Sequence, residues 1–255
     1  MAKAYINGTE INKFVVDGGG VKIAYGTVFS QSRWTELPEQ YKDYIQSCTD
    51  LTNMFNSCGN LTSLDLSWLD TSNVTKMTSL FYYCTKLTTL NVSNWNTSNV
   101  TGMDYMLNNC SKLTSLDLSN WDTSKVTTMN SMFNGCSAMK YVFGEIDFAA
   151  IPSDYYGNLF GYSNNNTLRQ ITFKNLGLQK GFTKTSGFDK LQNWGVNSTE
   201  IPNARQSLID SLITHSFDRA SGGYSTCTIT LSANTKAVLT TDEIAQITSK
   251  GFTIA

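Results

Sequence analysis

The feature that most constrains this 255-residue chain is a segment that recurs three times at a spacing of 26 residues. Its copies are CGNLTSLDLSWLDTSNVTKMTSLFYY from Cys58, CTKLTTLNVSNWNTSNVTGMDYMLNN from Cys84 and CSKLTSLDLSNWDTSKVTTMNSMFNG from Cys110. A partial copy precedes them at 51–58, and a diverged copy begins at Cys136. A period of roughly 20 to 29 residues with leucines spaced L-x-x-L-x-L is typical of repeats that stack and share one core.

Each repeat is predicted to be a short strand followed by a helical turn. The alternation around Leu64–Leu66 favours a strand with one buried face. The oxygen-bearing side chains of 70–72 are typical of a helix start, because they accept hydrogen bonds from free backbone N–H groups. The apolar residues that follow are spaced for one helix face and are Val74, Met77, Leu80, Phe81 and Cys84. We therefore expect Phe81 to be fully buried.

The repeated cysteine closes this apolar stripe, so we expect an interior column of reduced thiols. A buried cysteine behaves as a small hydrophobic residue. Neighbouring strands lie about 4.8 Å apart, so a disulfide between repeats is the alternative on distance alone. Zinc is disfavoured because paired C-x-x-C motifs are missing and the chain has one histidine, His215. No metal site is predicted, and Cys48 and Cys227 lie outside the column.

The repeat LTSLDLSNWDTSKVTTMNSMFNGC, which ends at Cys136, resembles the BspA-like leucine-rich repeats of bacterial surface proteins and of bacteriophage and prophage genes. The resemblance covers about Cys48 to Phe148. It implies a right-handed solenoid with parallel strands, and a role in adhesion or surface recognition rather than catalysis. The expected fold is an α/β leucine-rich-repeat solenoid, with 26-residue repeats of strand and short helical turn and an N-terminal β module.

Residues 1–33 are the predicted N-terminal β module. Asn7-Gly8 stands between two β-prone segments and is a strong hairpin signal, and the glycines at 18–20 predict a second turn. The module is expected to cap the open end of the repeats, or to dock on other proteins or on further copies of the chain, and one segment can do both. It is similar, over a short length, to N-terminal β modules of phage-encoded proteins.

The repeats are predicted to occupy 34–150, and an irregular strand and helix continuation with a C-terminal cap is predicted for 151–255. NARQSLIDSLITHS predicts a helix whose apolar side is Leu208, Ile209, Leu212 and Ile213. TTDEIAQITSKG predicts a second helix, with Thr240 or Thr241 as its N-cap. LRQITFKNLG, CTITLSANTKAVL and the last residues predict strands. A separate C-terminal domain is the alternative. The ending LTTDEIAQITSKGFTIA resembles C-termini of phage-type members of the family.

Composition narrows the classes of function. A net charge of −1 with 15% charged residues creates no field that would attract nucleic acid. No stretch approaches the ~18 apolar residues of a membrane span, so membrane insertion is not expected. Catalysis needs converging groups, but His215 has no adjacent cysteine or serine constellation, and the aspartates of the repeats fit strand and cap positions. We predict neither an enzyme nor a cofactor.

Two functions remain. The first is a bacteriophage virion component, associated with a tail or fibre, that attaches to a bacterial surface glycan or protein and joins other virion proteins through residues 1–33. It rests on the resemblances of the two ends and on a start, MAKAYINGTEINKF, without the apolar run of a secretory signal. The second is a bacterial cell-surface adhesin that binds host proteins or glycans, from which a signal or anchor has been removed.

Departures from the repeat pattern give the candidate binding residues. The outward strand positions form a regular polar ribbon, which is predicted to serve solubility or to offer a hydrogen-bonding floor to a glycan. Aromatic residues break the pattern where other repeats have Asn, Gly or Ser, and these are Trp68, Tyr82, Tyr83 and Tyr105. Exposed aromatic rings suit both sugar stacking and protein contact. For Trp68 the alternative is an exchange of places with Leu69, so that the ring covers the edge of a repeat.

Overall fold

The computed structural model describes most of the chain from residue 42 onward. It describes residues 42–152, 159–160, 167–176, 188, 191–199, 201–216, 218–222 and 227–255 with their side chains, except that of residue 44, and the backbone alone of 5–6, 9–10, 14–17, 20–23 and 184–185. The strands are β1 Tyr5–Ile6, β2 Thr9–Glu10, β3 Phe14–Asp17, β4 Gly20–Ile23, β5 Ser63–Asp65, β6 Thr89–Asn91, β7 Ser115–Asp117, β8 Tyr141–Asp147, β9 Gln170–Lys174, β10 Lys184–Thr185, β11 Cys227–Ile229 and β12 Phe252–Ile254.

The helices are few and short. They are α1 Lys42–Gln46, α2 Ala204–Ile209, which continues as a π-helical segment Asp210–Thr214, α3 Ala233–Ala237 and α4 Thr241–Ser249. Within the described residues, none of them is long and apolar enough to cross a membrane. Small parallel sheets with these helices make the fold α/β.

The repeats lie beside one another in the register that the sequence period predicts. In the parallel pair β5–β6, Ser63 faces Thr89, and in the parallel pair β7–β8, Ser115 faces Tyr141. The strand β9 continues the second sheet, again in parallel. A further line of parallel bridges, with the same offset, joins the residues that follow the strands: Asp50 to Lys76, Lys76 to Gly102 and Gly102 to Thr128. The repeats are thus held together at the strands and at these bridges, except that β6 and β7 belong to separate sheets and, of these two connections, their repeats share the bridge alone.

The segment expected to be a helical turn is a run of tight turns instead. Inside it, the N–H of Leu80 donates to the carbonyl of Met77, three residues back. The N–H groups of Ser79 and Phe81 leave the repeat and donate to Asp104 and Met106 in the next one. Ser79 has φ 54 and Tyr83 has φ 58, in the left-handed region, which interrupts a right-handed helix. The prediction of helical turns in the repeats was therefore wrong.

The predicted apolar stripe is nevertheless correct. Val74, Met77, Leu80, Phe81 and Cys84 are all buried in the described structure. The ring of Phe81 stacks between those of Phe55, at 5.7 Å between centroids, and Trp95, at 6.3 Å. Trp95 in turn stacks on Trp121 at 5.9 Å. The core of the repeats is therefore a continuous line of rings beside the leucines and methionines.

The cysteines form the interior column that the sequence predicts, and none of the six takes part in a disulfide. The Sγ atom of Cys84 lies 3.2 Å from the carbonyl oxygen of Phe55, and that of Cys136 lies 3.1 Å from the carbonyl oxygen of Leu107. Burial raises the pKa of Cys136 to about 12 and raises the pKa of Cys84 as well. The thiols therefore stay protonated and donate to carbonyl groups of the preceding repeat.

Strand and helix alternate after residue 166, as predicted, but CTITLSANTKAVL is a strand only over Cys227–Ile229, and its second half, predicted to be strand, is the helix α3 Ala233–Ala237. The strand β9 contacts the π-helical segment that follows α2, because the N–H of Phe173 donates to Oγ of Ser211 at 2.9 Å. The strands β10, β11 and β12 form a parallel sheet. Thr240 and Glu243 form a capping box at the start of α4, which confirms Thr240 as the N-cap. Whether this part is a separate domain or a continuation of the repeats stays a prediction.

The N-terminal strands lie where the sequence predicts hairpins. The strands β1 and β2 pair antiparallel, with Tyr5 opposite Glu10, and β3 pairs with β4, with Phe14 opposite Ile23. The predicted turn residues Asn7-Gly8 fall outside the described residues. The role of residues 1–33 as a cap or a docking module stays a prediction.

Candidate functional site

Three of the four candidate residues come together on the turn side of the repeats. The ring centroids of Tyr82 and Tyr83 lie 4.6 Å apart, and Tyr82 meets Tyr105 edge-on at 6.3 Å. We call these three residues the tyrosine patch. Tyr83 is 44% exposed and Tyr105 is 43% exposed, so both side chains are accessible to solvent. Together with Phe143 they are the most exposed large apolar side chains of the described residues.

Two residues of the tyrosine patch occupy backbone positions that tyrosine does not favour. Tyr83 has φ 58 and Tyr105 has φ 56, in the left-handed region. The equivalent positions with the same backbone in other repeats carry small residues: Asn53, Ser79 and Ser131 for Tyr105, and Ser57, Asn109 and Gly135 for Tyr83. Asparagine and glycine adopt this conformation at least cost, whereas a bulky side chain there is an outlier. The two tyrosines are therefore not explained by local backbone preference.

The main chain at these positions is the same with or without tyrosine. The N–H of Tyr83 donates to Asn108 at 2.8 Å, and the N–H of Tyr105 donates to Asn130 at 2.8 Å. The equivalent Asn53 donates to Thr78 in the same way, at 3.0 Å. The stacking of the repeats thus fixes the backbone at these positions. It does not require a particular side chain there.

The hydroxyl groups of the tyrosine patch are suited to neutral hydrogen bonding. Burial and the neighbouring Tyr83 raise the pKa of Tyr82 above its ordinary value, so this phenol stays protonated at physiological pH. A protonated phenol both donates and accepts hydrogen bonds. The patch can therefore present apolar ring surface and polar tips at once, which suits a glycan or a protein surface.

Trp68 lies apart from the tyrosine patch. Its Nε1 donates to the carbonyl of Asp65 at 3.0 Å, and Nζ of Lys42 lies 5.3 Å from its ring centroid. Among the described residues, no ring contact joins Trp68 to the three tyrosines. Leu69 is buried where the following repeats bury Trp95 and Trp121. This arrangement agrees with the alternative that Trp68 and Leu69 exchange places, and it places Trp68 over the edge of the first repeat.

The strand face carries an aromatic pair that the sequence analysis missed. The rings of Tyr141 and Phe143 on β8 lie 5.0 Å apart, and Phe143 is 42% exposed. Their backbone pairs with Ser115 and Asp117 of β7. Extending the outward columns of the repeat by one more period, into the diverged copy after Cys136, would have identified both residues.

Groups suited to chemistry do not converge in the described residues. No group of three or more histidine, cysteine or acidic side chains is placed there to hold a metal ion. His215 and Glu145 approach each other at 2.8 Å between Nδ1 and Oε1, and both side chains are partly exposed. This pair links the segment after α2 to β8, and no third partner for a relay lies beside it among the contacts of the described part. Ligand binding by the tyrosine patch stays a prediction.

Comparison with known proteins gives one match. Comparison with curated proteins gave no match, and comparison with solved structures gave none. A family model described as "Mycoplasma protein of unknown function, DUF285" matches residues 49–168. The matched part of the chain is thus similar to that family, and it contains the three complete copies of the repeat together with the tyrosine patch.

Proposed function

We propose that this chain is a non-enzymatic recognition protein, a tail- or fibre-associated component of a bacteriophage virion that attaches to the surface of the bacterial host. In this proposal the tyrosine patch contacts a surface glycan or protein, and residues 1–33 join other virion proteins or further copies of the chain. The repeats form a right-handed BspA-like leucine-rich-repeat solenoid that holds the patch on a rigid support.

One observation carries the recognition role. Tyr83 and Tyr105 are exposed, and both occupy left-handed backbone where other repeats have Asn, Ser or Gly. A residue held in an unfavourable region costs on the order of 1–3 kcal/mol, persists only where the surrounding structure fixes it, and occurs most often at binding and catalytic sites. Burial of these side chains offsets only part of this cost, because each is nearly half exposed. Contact with a partner is the gain that such rings offer.

The solenoid part of the proposal is supported by the register of the parallel strands and by the crossover connections between them. Parallel strands joined by a crossover in one sheet are right-handed in nearly all proteins. Here the pairs β5–β6 and β7–β8 are parallel with the repeat offset, for example between Ser63 and Thr89. The resemblance of the repeat to BspA-like proteins adds the expected role in adhesion or surface recognition.

A bacterial cell-surface adhesin is the second candidate. It is supported by the description of the matching family, which names a Mycoplasma protein, and therefore a protein of a bacterium rather than of a phage. The two candidates share the recognition role and differ in the body that displays the chain. Mass spectrometry of purified phage particles and of the bacterial envelope distinguishes them, because the chain should be enriched in one fraction.

The recognition role is tested with variants that restore the repeat pattern. Tyr82→Asn, Tyr83→Asn and Tyr105→Ser together remove the patch while supplying residues that other repeats use. We expect labelled protein to lose about tenfold or more of its affinity for intact host bacteria. Trp68→Asn is the matched control, since it makes the same kind of change away from the patch. Unchanged binding by the triple variant would show that the patch is not the recognition surface.

A further inference from the structure

The ladder of hydrogen bonds between the strands is interrupted at one place. Thr88 N–H donates to Thr62, and Lys140 N–H donates to Thr114, each at 2.8 Å. The equivalent bond from Thr114 to Thr88 is missing within residues 42–152. At the other end of the strands, the N–H of Leu118 donates to the carbonyl of Phe143 at 2.9 Å. The equivalent bond one repeat earlier, from Val92 to Asp117, is also missing within residues 42–152. The strands β6 and β7 consequently belong to separate sheets.

The interruption is confined to the strand face. On the turn side, Met77 donates to Gly102 and Met103 donates to Thr128, at 2.9 and 2.8 Å. The bridge from Gly102 to Thr128 is also intact. The second and third repeats are therefore joined by backbone bonds at their turns but not at their strands, where side chains join them instead: Nε1 of Trp121 donates to the carbonyl of Val92 at 3.3 Å.

A depression of about 240 Å³ lies on the strand face, over Ser63, Leu64 and Asp65 of β5 and the residues of β6, and it reaches Ser115 of β7 across the interruption. Its lining includes Asp65, Thr89, Leu90, Asn91 and Ser115. Leu90 is only half-buried, although the equivalent leucines of β5 and β7 are buried. The depression thus combines an apolar floor with a rim of hydroxyl, amide and carboxylate groups.

An aromatic platform adjoins this depression. Ser115, which lines it, pairs with Tyr141 in the parallel register of β7 and β8. Neighbouring strands lie about 4.8 Å apart, so the ring pair Tyr141–Phe143 begins one strand away. Phe143 has no partner in the core to bury it and remains exposed.

We propose that this face is a binding site for a neutral saccharide, with one sugar unit in the depression and the next on the rings of Tyr141 and Phe143. The site is separate from the tyrosine patch and does not rest on the function proposed above. Serine, threonine and asparagine both donate and accept hydrogen bonds, as the hydroxyl groups of a sugar require. The apolar face of a sugar ring packs on an aromatic ring, as apolar surfaces generally do.

The charge of the lining selects against other ligands. The lining of the depression contains the Asp65 carboxylate and no cationic residue, and the nearby Lys42 acts on Asp65 itself, so the lining offers anionic sugars and nucleic acid no cationic partner. The backbone N–H of Ser67 donates to that carboxylate and lowers its pKa. Asp65 therefore stays ionised and can accept hydrogen bonds from sugar hydroxyl groups. An added peptide strand needs a continuous exposed sheet edge, whereas β6 and β7 face each other over three residues.

Binding of the full chain to an array of defined neutral and anionic oligosaccharides tests the proposal. We expect at least one neutral oligosaccharide to bind. The double variant Phe143→Asp, Tyr141→Ser gives these positions the residue types of the preceding repeat, Asp117 and Ser115. It should weaken that binding about tenfold or more. Thr101→Val is the control, because Thr101 is exposed, lies beside the Gly102 bridge on the turn side and belongs to neither proposed binding surface; it should leave saccharide binding unchanged.

Methyl NMR of the unmodified chain supplies a readout that needs no variant. The methyl signals of Leu90 should shift on addition of the bound oligosaccharide, whereas those of the buried Leu116 should not. Absence of any neutral oligosaccharide binding at millimolar concentration would overturn the proposal. Binding of anionic sugars alone, or binding that leaves the signals of Leu90 unmoved, would overturn it equally.

Discussion

The sulfur atom of Cys110 lies 3.2 Å from the carbonyl oxygen of Phe81, in the preceding repeat. The same carbonyl accepts the N–H of Cys84 at 3.1 Å. Cys84 and Cys136 make the equivalent contact, each with the residue 29 positions earlier. The repeated cysteine therefore fills the core and also donates to a carbonyl in the preceding repeat. Alanine at this position would lose both contributions, and serine would place a more polar group in an apolar core.

The buried thiols should make the protein less stable in alkaline solution. Burial raises the pKa of Cys136 from 9.0 to about 12 and raises that of Cys110 too. Above pH 9 the unfolded chain loses thiol protons that the folded chain keeps, so the free energy of unfolding falls as pH rises from about 9 towards 12. Each such thiol contributes a fall of about 1.4 kcal/mol per pH unit.

Urea denaturation at pH 8, 9 and 10 measures this dependence. The variant Cys110→Ala should be less stable at pH 8 but should lose less stability between pH 9 and 10. Equal slopes for the two proteins would contradict the assignment of Cys110 to the interior. In the native state at pH 8, a maleimide should leave the cysteine column unlabelled until urea unfolds the chain.

Phe81→Ala should destabilise the repeats strongly. The ring is fully buried and stacks on both Phe55 and Trp95, so its removal should cost about 3–5 kcal/mol. Chemical denaturation monitored by tryptophan fluorescence measures the loss. Tyr105→Ala is the matched control, because that ring is exposed and its removal leaves no cavity. A loss below about 1 kcal/mol for Phe81→Ala would refute the packing described for this ring.

Tyr83→Asn should leave stability unchanged or raise it. Asparagine accepts the left-handed conformation of this position, where φ is 58, so the substitution should gain up to about 1 kcal/mol. Tyr141→Asn is the contrasting control, since it places asparagine in a strand, where it is disfavoured. The midpoint of thermal unfolding reports both effects. A marked loss for Tyr83→Asn would mean that the tyrosine patch stabilises the fold, which removes the main support for a recognition role.

Thr97→Val should cost more stability than its small change in shape suggests. Thr97 is buried, and its hydroxyl donates to the carbonyl of Asp122 at 2.9 Å and accepts the N–H of the same residue at 2.8 Å. Valine leaves both groups without this partner, at a cost of about 1–3 kcal/mol. The control is Thr101→Val, because Thr101 is exposed and its hydroxyl makes a longer bond of 3.3 Å. Equal losses from urea denaturation would contradict this difference.

Deletion of residues 1–33 should separate attachment from recognition. If the N-terminal module docks the chain, the shortened protein should keep the circular dichroism and melting behaviour of the repeat region but should no longer join its assembly. Sedimentation with purified particles, or analytical ultracentrifugation for self-association, measures the loss. Assembly at the level of the complete chain would reduce the segment to a cap.

The sequence carries the period, the strand positions and the buried stripe, because each of these depends on residue type at a fixed spacing. It does not distinguish a helix from successive tight turns, since both bury residues spaced as Met77, Leu80 and Phe81 are. The signal that would have distinguished tight turns from a helix is the small residue between the buried ones, such as Asn53 or Ser79, because small residues suit left-handed backbone. Trp68 breaks the repeat pattern as the tyrosines do, and the sequence alone does not show which way a side chain at the edge of a repeat points.

The parting of β6 from β7 could not be predicted from the sequence. The two strands read Thr89–Asn91 and Ser115–Asp117, which differ little from each other or from β5. A break in hydrogen bonding between strands so alike depends on small shifts of whole repeats, and such shifts leave no mark on local composition. The sequence departures near that interruption are Tyr141 and Phe143, which lie beyond the last regular repeat.

The backbone bonds of the turn segments give the stack a direction. The N–H of Asn53 points to the carbonyl of Thr78, that of Ser79 to Asp104 and that of Tyr105 to Asn130, always towards the C-terminal neighbour. At these positions the side of each repeat that faces its C-terminal neighbour therefore offers N–H donors, and the side that faces its N-terminal neighbour offers carbonyl acceptors. Two copies could extend this pattern only by stacking front to back, since a two-fold pair would oppose like groups. An assembly that continued it would be polar, with two unlike ends.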